Sequence, residues 1–466
     1  MVDVRTSTRP LTPADGLAKL ATFPFALLTW VDPEGVPLSA AVDADVDQAA
    51  GTAAFPIPAG LQVPAGSTVS LTGSHIRPQP GFGYDERRHV TVWGTAAARP
   101  DGRLAIRADK AWGWDESEIP FPEYVERTVR QSHAYYDRIS GEQGRRIGPR
   151  LGLGWLTLRA TRLPFLSATL IPVAVGIAIA AAQGFFDLFT AIVTIVGAAA
   201  VHLGLNVAND VFDAKLGADD ANVRPTQYSG GSRVIQYGLV SLRGMSLISA
   251  VMYAVAIGCG LILLAVSFSP ALLVIGIAGI VLSIGYTAPP LKLVYRGWGE
   301  VTTALGFGPL MLLGAYVVQS GGTIPVEAIA ASVPIAILVA LILYVNEIPD
   351  REGDARAGKR TLPVILGRGA VIAGYAVAVV AAFGFVIAAV IAGWLPVPTL
   401  LTLLAAPLAW RVYEGIRASY DQAYALMPVM ATNIKVHLVT GVVLFLAYVA
   451  VIAVGGLAPE VSLYLG

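Results

Sequence analysis

Two groups of aspartate and asparagine side chains lie at helical spacing, each at the end of a long apolar run. In the first, "VHLGLNVANDVFDAKLGADD", Asn206, Asp210 and Asp213 follow one another at intervals of four and three residues. In the second, "NEIPDREGDARAGKRTLP", Asp350 and Asp354 are four residues apart. Side chains three or four residues apart share one face of a helix. Each group therefore predicts a stripe of polar ligands at a helix end.

Carboxylates at this spacing repel one another unless a cation lies between them. A set of carboxylate and amide oxygens suits Mg²⁺, which keeps waters and substrate phosphates as its remaining ligands. Basic residues nearby could hold a diphosphate by charge-assisted hydrogen bonds. They are Arg224, Arg233, Lys292, Lys359 and Arg360. For each single base, the alternative of an interfacial residue that sets topology stays open, but two acidic stripes are hard to explain in that way.

Further polar residues extend the two stripes. His202 and Asn346 each lie four residues before the first residue of a stripe, and Asn209 and Asp219 lie near the first stripe. His202 either lines a cavity or makes a hydrogen bond between helices. The other charged residues of the second stretch are expected to lie off the ligand face and only to solvate the helix end. They are Glu347, Arg351, Glu352 and Arg356.

The composition places these stripes in a membrane protein. Of the 466 residues, 55% are hydrophobic and 14% are charged, and the mean hydropathy is +0.64. These values lie outside the usual range of soluble domains. Lysine plus arginine equals aspartate plus glutamate at 32 each, so the net charge indicates no nucleic-acid partner. The single Cys259 excludes an internal disulfide and a cysteine metal cage.

Nine apolar runs follow residue 160, each near the roughly 20 residues that a helix needs to cross a bilayer. They lie near residues 163–182, 188–211, 244–266, 270–287, 298–318, 325–346, 369–392, 396–413 and 434–455. Connections after the even-numbered runs carry lysine and arginine, whereas the opposite connections and the C-terminal tail carry none. This bias predicts a multi-pass protein of the cell membrane whose acidic stripes and N-terminal domain are cytoplasmic, with the C-terminus on the opposite side.

The N-terminal residues predict a separate, β-rich soluble domain. The stretches "FALLTWV", "DPEG" and "VPLSAAV" predict a strand, a turn and a second strand, and "FPEYVERTVRQSHAYYDRIS" predicts a helix. The segment lacks the apolar core of a signal peptide, which predicts a cytoplasmic domain. The predicted architecture is multi-domain: a small β-barrel domain over residues 1–145, a linker at 146–160 and an all-α nine-helix transmembrane bundle over 161–466.

Four stretches carry a family resemblance. "NVANDVFDAKLGADD", "GGSRVI", "YTAPPLKLVYRGWGE" and "NEIPDREGDARAGKRTLPVILGR" resemble the UbiA superfamily of intramembrane prenyltransferases, nearest to the branch with dihydroxynaphthoate prenyltransferase of menaquinone biosynthesis. The resemblance implies that two motifs bind Mg²⁺ and that the metal ligands are Asn206, Asp210, Asp213, Asp350 and Asp354. It also implies that the four aspartates in this set are catalytic. It implies that the first motif also includes Asn209 and that Tyr286, Lys292 and Arg233 shape the site or contact diphosphate. Many relatives have an aspartate where this chain has Gly217, and Asp219 is the expected substitute.

The implied reaction transfers a prenyl group from a polyprenyl diphosphate to an aromatic acceptor within the bilayer. Charge on the leaving diphosphate is neutralised, the acceptor attacks the allylic cation, and the apolar tail lies among the spans. Dihydroxynaphthoate is the first expected acceptor, while other quinone precursors, polar lipids and chlorins stay open. Asp350→Ala or Asp210→Ala is expected to remove transfer from a folded protein.

A transporter or cation-binding protein that uses the acidic helix ends is the alternative function. It is the weaker reading because the acids lie at span ends, whereas transport sites usually lie near the bilayer midplane. Release of diphosphate from a prenyl donor separates the two functions.

The order of strands and the tryptophan-rich "KAWGWDESEIPFPEYVERTVRQSHAYY" resemble the flavin-binding split barrels of the pyridoxamine-phosphate-oxidase-like superfamily. Such domains bind FMN, deazaflavin F420 or haem, usually across a dimer interface, which implies a homodimer. Residues placed to meet a cofactor phosphate are Ser74, His75, Arg77 and Arg88. A solvated loop, and a domain that acts as a scaffold without cofactor, stay open as alternatives.

Overall fold

The computed structural model describes residues 11–57, 59–78, 84–222, 224–322, 324–457 and 463–464. The chain divides into two compact units, Met1–Arg130 and Gln131–Gly466. The boundary between them falls within the helix α2, Phe121–Gln143, which confirms the helix predicted there.

An antiparallel sheet of seven strands dominates the first unit. The strands are β1 Ala26–Val31, β2 Pro37–Val42, β3 Asp45–Asp47, β4 Thr52–Phe55, β5 Thr68–Pro78, β6 Tyr84–Ala98 and β7 Leu104–Asp115, in the order β2-β1-β5-β6-β7-β4-β3. The predicted first hairpin is confirmed, since Leu28 pairs with Ala40. Its turn is closed by Asp32, whose carboxylate accepts a hydrogen bond from the Val36 amide at 2.7 Å.

One face of this sheet is covered by the helix α1, Pro13–Leu20, which begins after the capping side chain of Thr12. Leu17 of α1 joins Trp30 and Phe55 of the sheet in a fully buried apolar core. The helix approaches β7 closely at Gly16, where an added Cβ would lie 2.2 Å from the Cβ of Ala111. A larger residue at this position would force the helix away from the sheet.

The described strands do not close into a ring, because β2 and β3 are the two edges of the sheet. The helical and sheet content of this unit agrees with the prediction, but the split-barrel identity is not confirmed and stays a prediction.

The residues predicted to meet a cofactor phosphate lie on two neighbouring strands. Ser74, His75 and Arg77 are on β5 and Arg88 is on β6. The Arg77 guanidinium donates to both carboxylate oxygens of Asp85, at 2.9 and 2.8 Å, and the His75 ring lies 3.3 Å from Glu86. Arg88 lies across the ladder from His75. Since acidic partners already occupy Arg77 and His75, these contacts give no support to FMN, F420 or haem.

The second unit is helical. Its helices after α2 are α3 Leu153–Thr161, α4 Ser167–Ala182, α5 Leu188–Leu216, α6 Ala218–Ala221, α7 Leu242–Val266, α8 Pro270–Gly285, α9 Gly299–Leu305, α10 Met311–Ser320, α11 Val326–Arg356, α12 Leu362–Ile365, α13 Arg368–Ile391, α14 Ala406–Ser419 and α15 Met427–Leu457. A π-helical turn, Gly306–Leu310, joins α9 to α10, and a 3-10 segment, Val397–Ala405, precedes α14.

Six helical segments among the described residues are long and apolar enough to cross a bilayer. They are Leu188–Leu216, Leu242–Val266, Gly299–Ser320, Val326–Arg356, Arg368–Ile391 and Met427–Gly455. Their exposed apolar side chains, such as Leu261 and Val380, suit contact with lipid. These segments support the predicted multi-pass membrane protein.

The predicted count of nine spans is not confirmed. The apolar helices α4 and α8 have 16 residues each, so they extend about 24 Å, less than the roughly 30 Å of a hydrocarbon core. The run predicted near 396–413 is divided between the 3-10 segment and α14. Hydropathy alone therefore found all the apolar runs but not their helical lengths.

The helices α5 and α11 are the two that carry the acidic stripes. They have 29 and 31 residues, about 44 and 46 Å, so both extend beyond the thickness of a hydrocarbon core. The first ends at Gly217, whose φ of +78° closes the helix in the left-handed conformation. The sequence-derived stripes thus lie on regular helix where the spacing rule applies.

Candidate active site

A polar cavity of about 170 Å³ lies between the ends of α5 and α11. Residues of both predicted acidic stripes line it, although Asp210 is not among them, together with residues of the loop that follows α6 and of the turn that follows α11. Its polar lining includes Arg162, His202, Asn206, Asn209, Asp213, Asp219, Asn222, Ser229, Tyr286, Asn346, Glu347, Asp350, Asp354 and Lys359. The fold thus brings two stripes that are far apart in sequence to one site.

The Lys359 ammonium group connects the two stripes. Its Nζ atom lies 3.5 Å from Oδ2 of Asp213 on α5 and 3.7 Å from Oδ1 of Asp354 on α11. Burial lowers the pKa of Lys359, but Asp213 and Asp354 raise it, and the net pKa lies well above its usual value. The lysine is therefore a charged cation between two carboxylates.

Asp213 is held in place by two further donors. The Tyr295 hydroxyl donates to Oδ1 at 2.7 Å, and the Asn209 amide donates to Oδ2 at 3.0 Å. The Asn209 oxygen in turn accepts from the Thr287 hydroxyl at 2.7 Å. This chain of hydrogen bonds orients the carboxylate into the cavity.

The segment 229–233, "SGGSR", lies between the other two aspartates. Asp350 accepts from the Gly230 amide at 2.8 Å and from the Asn222 side chain at 2.8 Å. Asp210 accepts from the Ser232 amide at 3.2 Å and from the Arg162 guanidinium at 2.8 Å. Two carboxylates from different helices therefore hold the backbone of one loop.

Glycine is required at two positions of this loop. Gly230 and Gly231 have φ of +76° and +77°, the left-handed region. A Cβ on Gly231 would lie 2.6 Å from a carboxylate oxygen of Asp219. Burial, with the nearby charges of Asp213 and Asp210, raises the pKa of Asp219 well above its usual value. The positive φ values and the close packing of this loop against Asp219 explain the two adjacent glycines of "GGSR".

The donor set fits Mg²⁺. Oδ2 of Asp354 and Oδ1 of Asn346 are buried and have no hydrogen-bond partner within the part of the chain that the structure describes. Both residues line the cavity, so these oxygens are available to a cation. No group of three or more His, Cys, Asp or Glu residues in the described ranges is assembled as a metal site. Mg²⁺ usually binds one or two carboxylates plus substrate phosphates, and this cavity offers such a partial set.

We expect Asp210→Ala to destabilise the protein. The substitution leaves the Arg162 guanidinium without its carboxylate partner, and breaking a buried ion pair costs about 3–5 kcal/mol. Urea unfolding in detergent micelles measures the loss, with Asp220→Ala, an exposed neighbour, as the control. A free energy of unfolding equal to that of the control would contradict this anchoring role. The expectation that Asp210→Ala spares the fold is thereby revised.

An apolar cavity of about 430 Å³ adjoins the polar one. It is lined by α5, α7, α8 and the α9–α10 segment, and both cavities share His202, Leu205, Tyr286, Thr303 and Phe307. The His202 ring lies at this junction, 4.8 Å from the Phe307 ring, and hydrogen-bonds the Thr169 hydroxyl at 2.7 Å. His202 thus lines the cavity and also joins α5 to α4.

A family model for the UbiA prenyltransferase family matches residues 169–430, more than half of the chain. The chain belongs to the UbiA prenyltransferase family. As a member of the UbiA family it is an enzyme that transfers alkyl groups, and the resemblance found in the sequence is confirmed. The matched residues lie entirely in the second unit.

Named relatives in the UbiA family act on naphthoates and naphthoquinones. The chain is 29% identical to 1,4-dihydroxy-2-naphthoate octaprenyltransferase of Bacillus subtilis over 257 residues, which cover 54% of this chain and 80% of the relative. It is 26% identical to 2-carboxy-1,4-naphthoquinone phytyltransferase of a Synechocystis strain over 298 residues, covering 63% and 92%. A solved UbiA homolog from Archaeoglobus fulgidus bound to GPP and Mg²⁺ is 16% identical, with a TM-score of 0.46, over 64% of this chain and 99% of that one.

Several bases that the sequence suggested as UbiA diphosphate ligands lie away from the cavity lining. Arg224 is exposed and lies 3.9 Å from Glu352. Arg233 is buried, but its guanidinium donates to the backbone oxygen of Asp219 and so fixes the loop. Lys292 and Arg360 are likewise absent from the lining, unlike Lys359. Their contact with diphosphate stays a prediction, and the geometry favours Lys359.

Two lining residues of the UbiA fold were missed by sequence reasoning. Arg162 pairs with Asp210, and the only sequence signal is its place just before the first apolar run. Glu347 was expected on the solvated face, but its side chain is buried and lines the cavity. The spacing did contain a signal, because Glu347 lies three residues before Asp350 and seven before Asp354, which places all three on one helix face. The expectation that Glu347 faces solvent was therefore wrong.

Proposed function

We propose that the enzyme transfers a prenyl group from a prenyl diphosphate to a hydroxylated aromatic acceptor of the naphthoate class, in a reaction that depends on Mg²⁺. The observation that carries the proposal is the junction of two cavities. A polar one contains Asp213, Asp354 and Lys359, and an apolar one shares its wall. A donor with a charged head and a hydrocarbon tail fits this pair of environments.

The diphosphate is proposed to lie in the polar cavity. Lys359 and Arg162 supply fixed positive charge there, and such groups bind phosphate oxygens by charge-assisted hydrogen bonds. Asp213 and Asp354 are proposed to hold Mg²⁺. The family resemblance adds further proposed metal ligands, which are Asn206, Asp210 and Asp350. When bound, the ion neutralises charge on the leaving diphosphate. Lys359 adds to that stabilisation because it is already oriented between the acids.

The prenyl tail is proposed to occupy the apolar cavity. Burial there removes hydrocarbon from water and keeps water from the allylic carbon, which would otherwise be hydrolysed. Tyr286, Thr303 and Phe307 lie where the two cavities meet, so the reacting carbon is expected beside them.

The naphthoate class of acceptor is supported by the names of two relatives, a dihydroxynaphthoate octaprenyltransferase and a carboxynaphthoquinone phytyltransferase. The lysine and arginine bias of the connections supports placing the cavity on the cytoplasmic side. The first unit is proposed to be a cytoplasmic domain fused to this transferase.

Release of diphosphate tests the proposed function. Purified protein is supplied with Mg²⁺, donors of increasing chain length, and either dihydroxynaphthoate or no acceptor. We expect acceptor-dependent release that stops with a chelator. Binding of Mg²⁺ without release from any donor would instead favour a cation-binding protein.

The size of the apolar cavity limits the length of the prenyl tail that it can hold. Filling part of the cavity at one glycine should lower that limit. Gly279 lines the cavity, and a Cβ placed on it meets no atom within 4 Å, so we expect Gly279→Leu to reduce the space available to the tail. We expect the preferred donor to become shorter by one or more isoprene units, measured by competition between donors of different length.

Gly258→Leu is the matched control for this change. Gly258 also has open space around its Cβ and lies in a neighbouring apolar helix, but outside the cavity lining. The same donor preference in both variants would contradict the placement of the tail.

A further inference from the structure

The short helix α3 carries exposed apolar side chains that the proposed transfer does not use. It has nine residues, about 14 Å, which is too short to cross a bilayer. Arg162, with φ of +52°, ends the helix, so α3 does not continue into α4. Leu153 and Trp155 are 79% and 71% exposed, and Leu151 just before them is exposed as well. A run of exposed apolar side chains of this kind marks an interaction surface.

The other side of α3 packs against the helical bundle near the polar cavity. Leu156 and Ala160 join Val207 and Val211 of α5 and Met245 of α7 in one apolar cluster. The two valines lie in the final turns of α5, the end of that long helix which carries the acidic stripe. Because α5 is longer than the hydrocarbon core is thick, these turns lie near the boundary between hydrocarbon and headgroups. The helix α3 therefore lies at that boundary.

Positive charge accompanies the exposed apolar side chains. Residues 143–162 contain no aspartate or glutamate but contain five arginines, which are Arg145, Arg146, Arg150, Arg159 and Arg162. The first three are exposed. Bases beside the hydrocarbon boundary attract anionic lipid, and tryptophan is enriched at that depth. Apolar and basic residues combined on a short helix are typical of a segment that lies in the membrane interface.

We propose that residues 145–155, the interfacial segment, bind the headgroup layer of the bilayer with anionic phospholipid as the partner. In this arrangement Leu153 and Trp155 enter the apolar boundary, and the three exposed arginines contact lipid phosphates. Two observations favour lipid over a protein partner. The positive charge complements an anionic surface, and α7, against which α3 packs, exposes Leu247 and Val251 in the same way as the other spans expose apolar side chains.

The contacts of α3 connect the interfacial segment to the polar cavity. Nε of Arg159 donates to the backbone oxygen of Ser232 at 2.9 Å, and the Arg162 guanidinium donates to Asp210. The Asn206 amide of α5 donates to the backbone oxygen of Thr161 at 3.2 Å. The helix that contacts lipid thus also holds the "SGGSR" loop and the end of α5. Binding of anionic lipid to the folded protein is expected to stabilise it.

The depth of Trp155 tests the apolar part of the proposal. The full-length protein is placed in nanodiscs of phosphatidylcholine and phosphatidylglycerol, with or without bromine on acyl carbons near the headgroup. The difference in emission between the wild type and Trp155→Phe reports on Trp155. We expect bromine to quench this difference emission, whereas acrylamide, a quencher in the water, has little effect.

The role of charge is tested by titrating phosphatidylglycerol into detergent micelles of the protein. The lipid is expected to raise the thermal unfolding temperature of the wild type. The variant that combines Arg145→Gln, Arg146→Gln and Arg150→Gln should need roughly tenfold more lipid for the same rise, since each base near an anionic surface adds to the attraction. All three side chains are exposed, so the variant is expected to fold.

A second triple variant controls for the loss of three positive charges. It changes exposed residues of the first unit, which are Arg99→Gln, Arg107→Gln and Lys110→Gln. Its unfolding temperature should respond to phosphatidylglycerol as that of the wild type does.

Two results would overturn the proposal. One is emission of Trp155 that bromine does not quench, as when water, the first unit or a second copy of the chain contacts the segment. The other is an equal response to phosphatidylglycerol in the wild type and in the variant of the interfacial segment. Neither measurement uses prenyl transfer, so the outcome is independent of the proposed function.

Discussion

Replacing Asp354 with asparagine is expected to lower the rate of prenyl transfer by about 100- to 1000-fold. The carboxylate has one buried oxygen without a partner and one oxygen 3.7 Å from Lys359, so it is the acid most available to a cation. Asparagine keeps the size of the side chain but removes the charge that would hold Mg²⁺ against the diphosphate. The initial rate of diphosphate release, measured over a range of Mg²⁺ concentrations, should show both a lower maximum and a higher requirement for Mg²⁺.

Asp220→Asn is the matched control for this substitution. Asp220 lies in α6, just after the end of α5, is exposed and does not line the cavity. Its variant should keep the wild-type rate. If Asp354→Asn also kept the wild-type rate at the same Mg²⁺ concentration, the assignment of the second motif to the metal would be wrong.

Replacing Lys359 with glutamine is expected to affect both the reaction and the response to Mg²⁺. Without the ammonium group, the diphosphate loses a buried partner, and we expect kcat/KM for the donor to fall about 100-fold. Asp213 and Asp354 then face each other with no cation between them. Mg²⁺ should therefore raise the thermal unfolding temperature of the variant more than that of the wild type, since binding to the folded state stabilises it.

Lys215→Gln, at the exposed end of α5, provides the comparison for nonspecific loss of positive charge. Donor kinetics and the Mg²⁺-dependent thermal shift should match those of the wild type. An unchanged donor KM in Lys359→Gln would show that the lysine serves only to hold the acids together.

The acidic stripes could be predicted from the sequence because they depend on local geometry. Residues four apart on a helix share a face whatever the rest of the chain does, and Asp350 and Asp354 needed no tertiary information. The same rule would have placed Glu347 with them. Its assignment to solvent was wrong because a glutamate next to a helix end was expected to be hydrated, whereas the start of α9 buries it.

The choice among the basic residues could not be made from the sequence. Lys292, Lys359 and Arg360 have similar charge and lie in similar turns. Only the fold shows that the chain reverses after α11, where Gly358 has φ of +74° and the Lys359 amide donates to the Asp354 backbone oxygen at 2.8 Å. That reversal turns the lysine back toward the acids.

Long-range packing also decided the roles of Asp210 and of the "SGGSR" segment. The spacing predicted a metal ligand at Asp210. Its hydrogen bonds with Arg162 and the Ser232 amide could not be predicted in this way, because these partners are 48 and 22 residues away in the sequence. In the first unit, strand positions were readable from turns and alternation, whereas barrel closure depends on pairing between distant strands.

Mass spectrometry of the product tests the proposed prenyl transfer most directly. Purified protein, geranylgeranyl diphosphate, dihydroxynaphthoate and Mg²⁺ are incubated, and prenylated aromatic product and free diphosphate are quantified together. We expect one product molecule for each diphosphate released, none with a chelator, and a loss of both in Asp354→Asn. Diphosphate release without any prenylated product, or product formation that persists in Asp354→Asn, would contradict the proposed transfer.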